Sequence, residues 1–196
     1  MERRELTELH YIVPISNVRS ILEHGLLSHN GVRRVPHESI AMEEIQDRRR
    51  PKRVPGGMFL HDYVNLYINA RNKMMYKRRD QHAAVCILRI GCTVLDLPDV
   101  VISDRNASSG WARFYPSPDG LAHIDSDMVF AQYWTHEDAY ETMEHGSIVC
   151  AEVLVPHVVE PGSIIGAYVS CKEGEQLLAN LNTGIAVTLK PYLFFR

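Results

Sequence analysis

No apolar run in this chain approaches the roughly 18 residues that a membrane-spanning helix needs. The opening Met1–Leu6 stretch also lacks the apolar core of a signal peptide. Neither membrane spanning nor export is expected, and a cytoplasmic location is. Cysteine is scarce. Cys86, Cys92, Cys150 and Cys171 show neither C-x-x-C nor zinc-ligand spacing, which argues against a disulfide framework and a structural metal. Repeats, low-complexity tracts and linkers are absent as well. The 196 residues therefore suit one domain spanning 1–196, long enough to bury a sizeable core.

What is present is unevenly spread. Net charge is only −3, yet Val32 to Arg79 holds twelve Lys/Arg against five Asp/Glu, leaving nine against nineteen elsewhere. A basic segment on an acidic body suggests a local polyanion site.

Apolar patterning outlines the elements. Leu9–Ile15 reads as a strand, followed by a short helix with Val18, Ile21 and Leu22 on its apolar face and Gly25 at its end. Ala41–Arg50 reads as a helix with acids first and arginines last, stopped by Pro51. Val64, Leu66 and Ile68 alternate with polar residues, a strand period. Ala83–Ile90, Val100–Ser103 and Ile164–Ser170 are further strands. Ser103–Asp119 reads as a long loop carrying Trp111, Phe114 and Tyr115, Asp125–Trp134 as a helix and Thr135–Gly146 as a loop. Gly174–Leu181 reads as a short helix, and Ile185–Phe195 supplies one or two closing strands. Helices early and strands late favour an α+β domain.

One stretch stands apart. Ser147–Pro156 reads as a buried strand whose single charged residue is Glu152. A buried carboxylate is paired, protonated or turned toward a cleft. A core ion pair and a catalytic carboxylate are both open readings at this point.

Several segments, in order, resemble the DarT family, bacterial toxins that attach ADP-ribose from NAD to bases of single-stranded DNA. They are His10–Asn17 with Ser20–Ser28, Ile45–Arg49, Leu60–Tyr67 with Ala70–Asn72, and Ala151–Pro156. The resemblance implies an ADP-ribosyltransferase-like split, bent β core with flanking helices, and NAD held in the cleft. It marks Glu152 as the catalytic glutamate and Arg49 as the catalytic arginine, with Arg48 the alternative one residue away. On the cofactor side it marks His10, Tyr11, Ile12, Asn17, Arg48 and Tyr67. The family's Tyr-His order is reversed here, so either His10 or Tyr11 holds the nicotinamide-side ribose. Arg71, Trp111, Arg113 and Tyr115 are the expected DNA contacts, and Tyr133 and Trp134 are further candidates for stacking on bases. The Asn65–Asn72 stretch is similar to the guanine-modifying branch.

The resemblance further implies a monomer acting with an antitoxin, macrodomain-type or similar, that removes ADP-ribose. In such chemistry a carboxylate stabilises positive charge developing on the ribose and accepts a proton from the base. Three alternatives remain open: a thymine-specific enzyme, a transferase acting on RNA or protein, and a non-catalytic nucleic-acid-binding module.

Overall fold

The sheet begins with β1 (Glu8–Pro14), whose alternation sends Leu9 and Val13 into the main core and Ile12 into a second apolar cluster on the other face. In the computed structural model, which describes residues 1–195, a 3₁₀ turn leads from β1 to α1 (Val18–His24). Gly25 ends that helix at a φ of 82°, and a Cβ there would meet the Val159 carbonyl at 2.7 Å. Only glycine suits the position. The chain continues through β2 (Leu26–Leu27), α2 (His29–Val32) and α3 (Glu43–Arg49) to β3 (Tyr63–Tyr67). Then come α4 (Lys73–Lys77), β4 (Val85–Gly91), β5 (Val101–Ser103), β6 (Phe114–Pro116), α5 (Ser126–Val129) and α6 (Ala139–Ile148). The remainder is β7 (Glu152–Pro156), β8 (Val158–Val159), β9 (Ile164–Val169), α7 (Lys172–Ala179) and β10 (Val187–Leu189).

Eight strands run in the order β10-β9-β4-β1-β3-β7-β5-β6, and β2 pairs with β8 separately. Neighbours are antiparallel except β9 and β10. The pairing is uneven at the centre. β1 matches β4 at seven positions but meets β3 only at His10↔Tyr67. The sheet is thus two four-stranded halves hinged at one residue pair, the split core expected of the fold. Beyond the hinge β1 and β3 diverge, and a cleft opens between them.

Four expectations need correction. Thr135–Gly146 is not a loop: most of it belongs to α6, whose start is fixed by the Asp138 side chain accepting from the Glu141 N–H. The run Ser147–Pro156 is consequently not one strand. Its first two residues end α6, and β7 starts at Glu152. A continuous apolar run carries no period, so helix end, turn and strand read alike.

The expected helix over Asp125–Trp134 lasts only from Ser126 to Val129. The carbonyls that further turns would use are occupied elsewhere. Asn69 Nδ2 donates to Val129 O at 2.7 Å, and His145 Nε2 lies 2.9 Å from Met128 O. Finally, the Ser103–Asp119 loop contains β6, which pairs with β5 through Ile102↔Tyr115 and forms one edge of the sheet.

Candidate active site

The cleft between the half-sheets has a volume of about 790 Å³ and is walled by β1, β3, α3 and the 105–111 loop. That size lies within the range of small-ligand sites. At its base Glu152, the first residue of β7, is fully buried. Cross-strand register aligns it with Tyr67 on one side and Ser103 on the other.

Two groups hold the carboxylate. Arg49 Nη1 donates to its oxygens at 3.0 and 3.2 Å, and the Ala107 N–H donates to Oε1 at 3.1 Å. Arg49 is itself only 4% exposed and stands at the C-terminal end of α3, favoured there by the helix dipole. Its Nη2 is buried without a partner. An unpaired buried donor is costly, of order 1–3 kcal/mol. Such a group on a cleft-lining residue suits an incoming acceptor. Arg49 lines the cleft and Glu152 does not, so of the pair the arginine borders the open space.

The Ala107 N–H is aimed by a braced loop. Ser103 Oγ donates to Arg105 O at 2.8 Å, the Asn106 N–H donates to Ser147 O at 2.9 Å, and Asn106 Oδ1 accepts from Ser108. Lys52 Nζ anchors the same loop by donating to Ser109 O. Burial, reinforced by Arg49, lowers the Lys52 pKa.

The remaining sequence-marked residues divide cleanly. Tyr11, Ile12, Asn17, Arg48, Tyr67 and Trp111 line the cleft with Arg49. Burial, and then the Glu152 charge, pushes the Tyr67 phenol well above its usual range. It is therefore a protonated hydroxyl at neutral pH and a donor beside Glu152. Burial also raises the Tyr11 pKa. Asn17 clasps the backbone of Glu38, donating to its O at 2.7 Å and accepting from its N at 2.9 Å. Trp111 is 71% exposed at the rim. Arg48 is exposed and pairs with Glu44 on its own helix.

His10 and Tyr11 fall on opposite faces of β1. Tyr11 enters the cleft, whereas His10 turns toward a second cavity and bonds Glu8 and Ile68 O, each at 3.2 Å. Arg71 also borders that second cavity, away from the cleft. Arg113 and Tyr115 do not line the cleft either. Arg113 is exposed with its N–H on Asp104, and Tyr115 stacks on His123 at 3.9 Å.

Several contributors gave no warning in the sequence. The Ala107 amide is a backbone group. Buried His61 stacks on His29 at 4.0 Å, its Nε2 unpartnered. Burial, with the charges of His29, Arg49 and Arg50, lowers the His61 pKa to about 4. The pair is neutral at physiological pH. No cluster of three or more His, Cys, Asp or Glu suited to a metal occurs among the described residues.

A buried carboxylate held by one arginine and one amide, beside a phenol donor and under a large cleft, can stabilise a nearby cationic centre or accept a proton.

Comparison with known proteins bears on the family to which the chain belongs. The family model described as "ssDNA thymidine ADP-ribosyltransferase, DarT" matches residues 10–194. A DNA ADP-ribosyl transferase–DNA ADP-ribosyl glycohydrolase fusion protein of Thermosipho africanus is 32% identical over 202 residues, covering 96% of this chain and 49% of that protein. The chain thus spans about half the length of that relative. A DNA ADP-ribosyl transferase of Thermus sp. is 34% identical over 145 residues, 66% of this chain and 68% of that protein. Among solved structures, Thermus sp. 2.9 DarT in complex with ADP-ribosylated ssDNA superposes with a TM-score of 0.84 at 27% identity, covering 97% of both chains. Thermosipho africanus DarTG in complex with ADP-ribose gives 0.82 at 29%, covering 96% of this chain and 51% of that one. With its split sheet and its match over residues 10–194, the chain belongs to the DarT family.

Proposed function

We propose that this chain transfers ADP-ribose from NAD to a base of single-stranded DNA, with Glu152 and Arg49 as the catalytic pair. The observation that carries the reading is the buried Glu152–Arg49 pair at the foot of the cleft, whose second guanidinium nitrogen has no partner. The donor set fits NAD: Arg49 and Arg48 offer cations for its phosphates, Asn17 and Tyr11 line the wall, and Tyr67 offers a neutral hydroxyl. When bound, NAD supplies the ADP-ribosyl group and nicotinamide as the leaving group.

The protein's part follows from its own atoms. Arg49 turns from Glu152 toward the ligand's oxygens, which gives its idle Nη2 an acceptor. The released Glu152 carboxylate, still held by the Ala107 N–H, faces the ribose and stabilises the charge that develops there. It then takes the proton of the attacking base nitrogen. Trp111 at the exposed rim offers a stacking surface for the base.

The Asn65–Asn72 resemblance favours guanine as the acceptor. Thymine is the second reading, favoured by the description of the family model that matches residues 10–194. The relative that joins a transferase to a glycohydrolase supports pairing with an ADP-ribose-removing antitoxin. Incubation with labelled NAD and single-stranded oligonucleotides of differing base content, then mass spectrometry of the nucleosides, tests all of this. ADP-ribosylated guanosine is the expected product. Adducts on thymidine alone move the assignment to the second reading. Labelled protein or RNA with unmodified DNA overturns it.

A further inference from the structure

Beyond the cleft lies a surface that the proposed chemistry does not use. The segment Arg71–Arg79, comprising α4 and its flanks, holds five Lys/Arg and no acid. Lys73 and Lys77 line the cleft. At its edge Gly146 sits against both Trp134 and Lys73: a Cβ there would meet Trp134 Cδ1 at 3.3 Å and Lys73 Cδ at 3.5 Å. Trp134 continues into an edge-to-face cluster with Tyr76 and Phe195, at centroid separations of 6.2 and 5.5 Å. Arg79 lies 4.6 Å from the Tyr76 ring.

The same cluster reaches Arg71, whose guanidinium is 3.8 Å from the Phe195 ring and 4.6 Å from that of Tyr192. Arg71 and Tyr192 then border the second cavity, of about 300 Å³, together with Phe130. Tyr76, Phe130 and Tyr192 are 41%, 47% and 58% exposed. A line of neighbouring residues therefore joins the two cavities, with aromatic rings and cations along its length. Asp80 follows the segment and lies exposed 4.0 Å from Arg79, whereas the acids of the second cavity are already engaged. Glu8 in the second cavity is held by Arg89, Tyr168 and His10, and Glu5 folds back onto the Glu2 N–H.

We propose that a single strand of DNA continues out of the cleft along this face, setting phosphates against Lys73, Lys77 and Arg79 and stacking bases on Tyr76 and Tyr192. Aromatic platforms with interspersed cations suit unpaired bases, whereas a duplex hides its base faces. The inference rests on the reading of the cleft given above, and it adds a second zone that only longer strands reach.

Fluorescence anisotropy with labelled strands of about 5 and about 20 nucleotides, shorter and longer than one single-strand site, tests it on the whole chain. The longer strand should bind at least tenfold more tightly. Tyr192→Ala, at an exposed position, should remove about tenfold of that advantage, or ~1.4 kcal/mol, and leave the short strand unaffected. Arg79→Gln should lower the salt dependence by roughly 0.7 log units per log of salt for the long strand alone. Circular dichroism and thermal melting of both variants confirm the fold. Equal affinity at both lengths, with Tyr192→Ala silent while the short strand is still modified, overturns the extended track and leaves the cleft assignment standing. Failure of both lengths to bind or to be modified overturns both.

Discussion

Glu8 and Glu152 are both buried carboxylates next to an arginine, but they are built differently. Glu8 lies in β1 and draws all its donors from the same half-sheet. Arg89 Nε on β4 reaches it at 2.7 Å, the Tyr168 hydroxyl on β9 at 2.6 Å and His10 at 3.2 Å. Burial alone would raise its pKa, yet the bonds from His10, Tyr168 and Arg89 bring it down to about 2. Glu152 has one amide and one arginine. That arginine comes from α3, a helix of seven residues, and keeps a donor in reserve. A carboxylate saturated by the strands beside it is a structural brace. One whose partner reaches over from a short helix beside a cleft can exchange that partner for a ligand.

The largest predicted effect breaks the Glu152 arrangement from the arginine side. Arg49→Ala leaves a buried carboxylate with a single amide, and loss of a buried partner costs about 3–5 kcal/mol. Melting should show that loss, and transfer by the folded fraction should drop at least 100-fold. Arg48→Ala, which removes an exposed pair with Glu44, should change stability by no more than about 0.5 kcal/mol. Similar mild losses in both variants would make the arginines a diffuse charged face.

Glu8→Gln should separate stability from chemistry. A carboxylate shifted from 4.5 to about 2 stabilises the fold by about 3 kcal/mol at neutral pH. Its folded pKa is depressed, so this contribution is complete above about 4.5 and is lost as pH falls toward about 2. Denaturation curves of wild type and variant should therefore differ at pH 7 and converge near pH 2. Transfer per folded molecule should survive, and its loss would mean that the two half-sheets are coupled through β1.

At neutral pH a smaller effect belongs to His61. Its pKa falls from 6.5 in the unfolded chain to about 4 in the fold. The unfolded state then binds the extra proton first, so stability from this residue is present above about 6.5 and declines as pH drops toward about 4. His61→Asn should flatten the melting-temperature profile over that window while leaving the rest unchanged. An unaltered profile would assign the acid limb to other groups.

The sequence exposed these features unequally. Glu152 was visible because charge is rare within an apolar run, whereas Arg49 was marked only by the family resemblance, since adjacent arginines at one helix end left the register open by one. Which of His10 and Tyr11 meets the cleft was not visible. A strand period separates them onto opposite faces but leaves open which of the two meets the cleft. α6 escaped notice because its polar sequence lacks an apolar stripe. The available signal was the cap, Asp138 followed three residues later by Glu141. Ala107 could not be found at all, since any residue supplies a backbone N–H. Arg113 and Tyr115 followed from loop chemistry in a segment that instead forms an edge strand, where Tyr115 is already stacked.

The contrast between the two carboxylates comes down to one measurement. Wild type, Glu152→Gln and Glu8→Gln, each shown to be folded by circular dichroism, are assayed side by side for transfer of labelled ADP-ribose from NAD to a single-stranded oligonucleotide. Glutamine at position 152 keeps the volume and an oxygen for the Ala107 N–H while removing the charge. The account predicts transfer reduced by at least 100-fold, about 2.7 kcal/mol in the barrier, for Glu152→Gln, and near wild-type transfer per folded molecule for Glu8→Gln. Retained transfer in folded Glu152→Gln would contradict it.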